Sequence, residues 1–411
     1  MKQILVSILV LLLSKHVLAK TIVVGRQSAV KTIQRALELA KDGDTIKVTE
    51  GLYREKGLLI KKSIVLQGIH YPVIDGEHQY EIIAVKADAV VIEGFKVVNS
   101  GISSMDDFAG IKIYNSRKVI IRNNILLNTF FGIYTQLGSN CIIENNVLLG
   151  AAKNEQQSGN GIHCWKSDSM QIKNNRISGH RDGIYFEFVT HSTISRNKSE
   201  KNLRYGLHFM FSNHDSYLYN QFRNNGAGVA VMFSHHVTML NNLFSQNWGD
   251  AAYGILLKEI SDSRIEKNQF IENTVAIFLE GANRIDVQKN SFQSNGWAMK
   301  IQASCMDINV TGNNFLSNTF DVGTNGSLVL NKFSQNYWDK YEGYDLDKNN
   351  KGDIPYRPVS MYAVIVERNP TAMILFRSFM TALFDKTEKL IPSLTPENLK
   401  DDFPLMKPLK L

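Results

Sequence analysis

Hydrophobic and polar positions repeat from Gly110 onward. Each unit opens on Gly or Ala, runs aliphatic, variable, apolar, and reaches an Asn fourteen positions after its first residue. The pairs are Gly110/Asn124, Gly132/Asn146, Gly161/Asn175, Gly183/Asn197, Gly206/Asn220, Gly228/Asn242, Gly254/Asn268 and Ala276/Asn290, with Ala298/Asn313 one residue longer. Successive units start 22, 29, 22, 23, 22, 26, 22 and 22 residues apart, a period of solenoid coils, and each holds short alternating strands broken by Ser/Asn/Gly turns. One such coil cannot bury its inward side chains alone. Stacking coils about 4.8 Å apart pairs each strand with the next and piles like residues into ladders. The pattern predicts an all-β chain, a right-handed parallel β-helix, with asparagines holding its turns because Asn tolerates left-handed backbone and bonds its neighbours.

Alternation then sorts the side chains. Positions +1 and +3 after each Gly are apolar almost throughout (Ile133 and Thr135, Ile162 and Cys164, Leu207 and Phe209, Val229 and Val231) and are expected to face the core. Positions +2 and +4 are therefore expected to face solvent. Position +2 reads Lys112, Tyr134, His163, Tyr185, His208, Ala230, Leu256, Phe278, Lys300, and +4 includes Trp165, Glu187, Met210 and Met232. A strip of thioethers and imidazole results, in which His208, Met210 and Met232, with His163 nearby, suit Cu(I) better than zinc, calcium or magnesium, since soft sulfur selects the soft ion. The same strip, with Trp165 and Tyr185, also reads as an adaptable protein-docking surface. A second ladder at +8 places His191, His214 and His236 on successive coils, with His235 beside the last, and stacked imidazoles there offer transition-metal ligands or simply a turn stack. The longer intervals before Gly161 and Gly254 insert seven and four residues immediately upstream of the +2/+4 strand, and insertions commonly flank a binding face. They favour the Met/His strip.

The ends differ from the coils. Met1-Lys2, the apolar run Ile4 to Leu13 and Val17-Leu18-Ala19 have the regions of a secretory signal peptide, so residues 1–19 are expected to be removed and the mature chain to be exported. Ser28 to Lys41 has helical spacing of Val30, Ile33, Leu37 and Ala40, a plug for one open end, and the coils are expected to close near Tyr337-Trp338 within a domain spanning 20–360. In the tail, 361–411, Thr371 to Leu383 reads as one amphipathic helix carrying Phe376 and Phe379, either capping the solenoid or meeting a membrane protein or interface. The segment from Ile391 to Leu411 is then free to wrap a partner. Asp345-x-Asp347-x-Asn349 resembles the start of a calcium loop, but Asn350 replaces the turn glycine and Tyr356 the closing Glu, so calcium there is at most weak.

Composition narrows the classes. The 411 residues are 44% hydrophobic and 21% charged, which excludes a disordered, collagenous or multi-span membrane chain. A net charge of +7 is too dilute to imply nucleic acid without a basic cluster, and none is expected as partner. Three cysteines, Cys141, Cys164 and Cys305, make no disulfide framework in an exported protein and are expected as core thiols. Glycan hydrolysis needs two carboxylates across a groove, and among Asp182, Glu187, Glu259 and Glu280 no neighbouring coils pair two at +2 or +4. Arg181, Arg204 and Tyr205 keep a lyase open as the alternative, and a structural adhesin stands third.

The whole chain resembles the periplasmic NosD family of nitrous oxide reductase maturation proteins. The resemblance is carried by the N-terminal helix with Asp42-Gly43-Asp44-Thr45, the coil series, Asn336-Tyr337-Trp338-Asp339 through Gly352-Asp353-Ile354-Pro355-Tyr356-Arg357-Pro358, and Leu394-Thr395-Pro396-Glu397 to Pro404-Leu405-Met406. It implies a non-catalytic periplasmic subunit attached to an ABC-type transporter (a membrane subunit and its ATPase). Such a subunit works with a copper chaperone lipoprotein to load apo nitrous oxide reductase. The resemblance does not say which residues hold copper.

Overall fold

The computed structural model describes residues 19–103, 106–326, 330–390 and 399–411. The proposed leader, 1–18 for the most part, and 391–398 of the tail lie outside the described residues. Among those described, three parallel sheets of 14, 12 and 13 strands run the length of a β-helix. The first sheet begins at Thr21–Val24 and ends at Lys332–Ser334, the second runs from Leu58–Ile60 to Phe320–Gly323, and the third from Leu52–Tyr53 to Tyr337–Trp338. Every pairing joins one coil to the next in register, as Leu207↔Val229 and Met210↔Met232 illustrate.

Two kinds of ladder hold the interior. Phe222, Phe244, Phe270, Phe292 and Phe315 stack at centroid distances of 5.4, 4.9, 5.0 and 4.8 Å, and Trp338 closes the column at 4.0 Å. Each ring is fully buried and contributes about 2–3 kcal/mol by leaving water. The repeat asparagines form the other. The backbone N–H and the Nδ2 of Asn197 both donate to Asn220 Oδ1 (2.9 and 3.1 Å), while Asn197 Nδ2 also donates to the carbonyl of Ile172. The pattern repeats from Asn124 to Asn336. A second amide ladder, absent from the sequence reading, runs from Asn202 through Asn225, Asn247, Asn273 and Asn295 to Asn318 at the next corner. Cys141, Cys164 and Cys305 are buried free thiols, as expected.

Both ends are plugged. The helix Ile33–Leu39, capped by Thr32, buries Ile33, Ala36 and Leu37 against the first coils. Val30, read as helical, instead bridges Val24. At the far end the chain corrects two expectations. The stretch 371–383 is not one helix: a helix at Met361–Arg368 precedes a 3-10 turn at Pro370–Leu375, and a second helix spans Phe379–Leu390. Pro370 fixes the start of the turn, and Arg377 in the left-handed region (φ 60°) breaks the run. The last residues, moreover, wrap their own solenoid. Buried Asp401 accepts from the backbone N–H of Gln335 and Asn336, from Asn336 Nδ2 and from Trp338 Nε1, standing where the next asparagine rung would be. Leu405 and Leu409 pair with Asn336 and Asn314.

Candidate functional site

The glycine that opens each coil sits at a corner and breaks the strand alternation. A Cβ on Gly206 would meet Phe222 and the Gly228 carbonyl at 2.9 and 2.7 Å, so Gly206 faces inward, as does Leu207 after it. The register skips the glycine: Tyr205 pairs with Ala227 and Leu207 with Val229. Two inward residues in succession leave positions −1 and +2 facing each other across a lateral groove. That geometry corrects the expectation that +2 stands free in solvent. His163 and His208 keep only 8% and 6% of their surface, Tyr134 6% and Lys112 7%.

The groove floor is a rung of aromatic and imidazole rings. Tyr134 to His163, His163 to Tyr185 and Tyr185 to His208 lie at 4.5, 4.8 and 4.6 Å, and Tyr205 from position −1 leans on His208 at 4.8 Å. Burial pushes His163 down to about 3 and Tyr185 up to about 12, so both rings are neutral at physiological pH. Asp182, fully buried, lies 3.5 Å from Arg181 Nε and 3.7 Å from His208 Nδ1. Farther along, the Met361–Arg368 helix fills the same groove: Tyr362, Ala363 and Val366 pack on Val275, Trp297 and Phe320, and Lys300 meets Glu367 at 2.6 Å.

The neighbouring turn face is open. Met210 and Met232 pair in register, half-buried, with the Tyr185 hydroxyl 3.6 Å from Met210 Sδ. One residue on, Phe188, Phe211 and Phe233 form an exposed stack at 5.1 Å intervals, all at positive φ. Phenylalanine rarely takes that conformation, and the sequence reading passed over this column. Three residues further lies the imidazole ladder: His191 to His214 at 5.2 Å and His214 to His236 at 4.7 Å. His235 turns in beside them with its Nδ1 2.8 Å from that of His236, so that ligand atoms of His214, His235 and His236 lie within 4.8 Å of one another. All three are exposed. Partial desolvation and then its neighbours' charges hold His214 below the ordinary imidazole value, favouring the neutral form that binds metal. His191 is tied to Asp168 at 3.1 Å.

The predicted ligands thus divide. His214 and His236 come together, Met210 and Met232 sit side by side, and His163 and His208 lie down in the groove. Trp165 is half-buried under Lys166, 4.6 Å from its ring, and Tyr185 belongs to the groove floor. Phe376 and Phe379 stand 40% and 80% exposed on the C-terminal hairpin, with Ile374 at 89%. The loop at Asp345, Asp347 and Asn349 resembles a calcium loop in sequence only. Asp345 accepts from the backbone N–H of Asn349 and Asn350, Asp347 from Asn349 Nδ2, and Asn349 Oδ1 from the N–H of Lys351, so the oxygens close the loop on itself. Of the carboxylates weighed for hydrolysis, Asp182 is enclosed and Glu280 is paired with Lys258 at 3.2 Å.

Residues 149–344 match a family described as periplasmic copper-binding protein (NosD). Two proteins named probable ABC transporter binding protein NosD align with most of the chain. That of Pseudomonas aeruginosa is 25% identical over 355 residues (81% of this chain, 82% of the relative), and that of Stutzerimonas stutzeri 26% over 361 (82% and 80%). The chain is thus similar to NosD proteins along most of its length. Among solved structures, the Dettilon tailspike protein superimposes with a TM-score of 0.60 at 12% identity, covering 73% of this chain and 65% of the tailspike. The Streptococcus pneumoniae adhesin PfbA gives 0.59 at 14%, covering 71% and 94%. These likenesses establish the β-helix alone. Among the described residues no helix is long and apolar enough to cross a membrane.

Proposed function

We propose that this chain is a NosD-type protein, a non-catalytic periplasmic subunit of an ABC-type transporter assembly that helps deliver copper during maturation of nitrous oxide reductase. The observation that carries the reading is the convergence of His214, His235 and His236 on an exposed turn beside the Met210/Met232 pair and the Phe188/Phe211/Phe233 column. Imidazole suits copper, and exposed ligands release it again, as a transfer site requires. The soft, aromatic strip next to it is where a copper chaperone lipoprotein or the apo reductase docks, with Trp165 at its edge and the buried His163 and His208 shaping the wall behind Met210.

The C-terminal hairpin is the contact to the membrane subunit and its ATPase. Its first helix is anchored in the groove, whereas Ile374, Phe376, Phe379, Met380 and Leu383 present an apolar face that the solenoid does not cover. Anaerobic Cu(I) titration against a chromophoric chelator tests the site. The native protein is expected to compete for copper, His214→Ala/His235→Ala/His236→Ala to lose most of that competition, and Met210→Ala/Met232→Ala to weaken it. Equal competition by the triple variant would remove the turn imidazoles from the pathway.

A further inference from the structure

We propose that the lateral groove is a second binding site, distinct from the turn imidazoles, for a saccharide bearing carboxylates, such as a uronate oligosaccharide. The first ground is a concentration of unpartnered polar atoms. Asn160 Oδ1, His163 Nε2 and His208 Nε2 are shielded from solvent without a hydrogen-bond partner, and Asp182 Oδ2 meets Arg181 Nε and His208 Nδ1 only in long ion-pair contacts of 3.5 and 3.7 Å. Asn160 and Asp182 are fully buried, His163 and His208 more than nine-tenths. A buried polar group left open is costly, and elsewhere the solenoid closes its amide ladders rung by rung. Here three successive coils leave donors and acceptors interleaved. A hydroxyl both donates and accepts, so a polyhydroxylated ligand answers this alternation better than a metal, for which no three of these atoms converge, or a phosphate, which wants donors alone.

The walls define the rest of the ligand. Half-buried Tyr185 and Tyr205 make an aromatic wall, Tyr185 packed between His163 and His208 and Tyr205 against His208 and the Arg204 guanidinium. Arg181 and Arg204, with 29% and 33% of their side chains exposed, supply two cations on the rim. Glu155 already stands in for a ligand carboxylate: from the inserted loop upstream of Gly161 it reaches Arg204 at 3.7 Å while remaining 58% exposed itself. The other insertion, with exposed Trp248 at its tip, precedes Gly254, so the two loops bracket the coils that open at Gly183, Gly206 and Gly228. The C-terminal helix closes the groove beyond them. Only binding is assigned; no bond is made or broken.

Calorimetric titration of the full mature chain with tetragalacturonate, at a salt concentration of about 0.15 M to screen diffuse attraction, tests the assignment, with maltotetraose as the neutral control. The acidic tetramer is expected to bind at least about tenfold more tightly than the neutral one. Arg181→Ala/Arg204→Ala should lose about tenfold, Tyr205→Ala somewhat less, and Glu155→Gln should gain about two- to fivefold because an internal competitor is gone. Thermal midpoints confirm that the rim variants fold. Absence of binding by the native chain at millimolar ligand, equal affinity in the arginine variant, or equal affinity for the neutral sugar each overturns the proposal. Copper competition by the arginine variant, and saccharide binding by the triple histidine variant, keep this site and the copper reading separately testable.

Discussion

The asparagine column inside the solenoid and the histidine column on its turn face are built by one repeat, a few residues apart in every coil, yet they end in opposite states. Inside, each amide finds the next rung, and where the rungs run out the tail supplies Asp401 to take the last four donors. Outside, His214, His235 and His236 are drawn together on an exposed turn, where the contact between the Nδ1 atoms of His235 and His236 is made among themselves and not to the next coil. Stacking therefore does not decide role. Whether the stacked group's valences are closed by the next coil or left open decides it, because closed valences stabilise the fold and open ones are available to a ligand.

The contrast breaks most sharply at Asp401. Asp401→Ala leaves the donors of Gln335, Asn336 and Trp338 unmet and is expected to cost about 3–5 kcal/mol, read as a lower thermal midpoint and faster amide exchange confined to the last coils. An unchanged midpoint would mean that the column needs no terminus. Asp215 is an interior exception, and it sharpens the comparison. Its carboxylate accepts one short bond from Ser192 N–H (2.7 Å), its other oxygen has no partner, and burial raises it to about 8. Because the folded value lies above the unfolded one, the chain gains stability as pH falls from about 8 toward 4 and loses it in the other direction. Asp215→Asn should accordingly raise stability by about 2–4 kcal/mol at pH 7 and leave it unaltered at pH 4, as measured by thermal melts across that range.

His163 works in the reverse sense. Held neutral down to about 3 by burial, it binds its proton more readily in the unfolded chain, so its contribution is lost as pH falls from about 6.5 toward 3, by about 1–3 kcal/mol. His163→Phe should flatten that acid limb of the melting curve. On the turn face the same kind of substitution is expected to do almost nothing to the fold. The triple alanine variant of His214, His235 and His236 should shift stability by less than about 0.5 kcal/mol while losing most of the copper competition, since these rings are exposed. Smallest of all on stability is Ile374→Ser/Phe379→Ser, within about 0.5 kcal/mol, with loss of co-purification with the membrane subunit as its readout. A retained complex would take the hairpin out of that contact.

Much of this was legible along the chain. The Gly-to-Asn interval marks the coils, and the +8 register places His214 under His236, because a parallel stack with constant turn length carries every offset unchanged from rung to rung. The errors fall where that constancy fails. Position +2 was assigned to solvent by simple alternation, but Gly206 and Leu207 both turn inward at the corner, so Tyr205 and His208 converge. The tail was read as free for a partner, whereas Asp401 bonds a column more than sixty residues upstream. Nothing in local pattern encodes that distance.

The sequence by itself determined the solenoid, its period, its buried asparagines and the chemical kinds of side chain on each offset, since these follow from short-range alternation and from the need of each coil to be covered by the next. Tertiary structure alone decided which of those side chains keep open valences. A backbone bend of one residue turns a strip into a groove, His235 joins its neighbours through a turn rather than a strand, and a distant carboxylate ends the amide column. Hydrogen-bond closure is a property of neighbours in space, and spacing along the chain fixes neighbours only while the repeat stays regular.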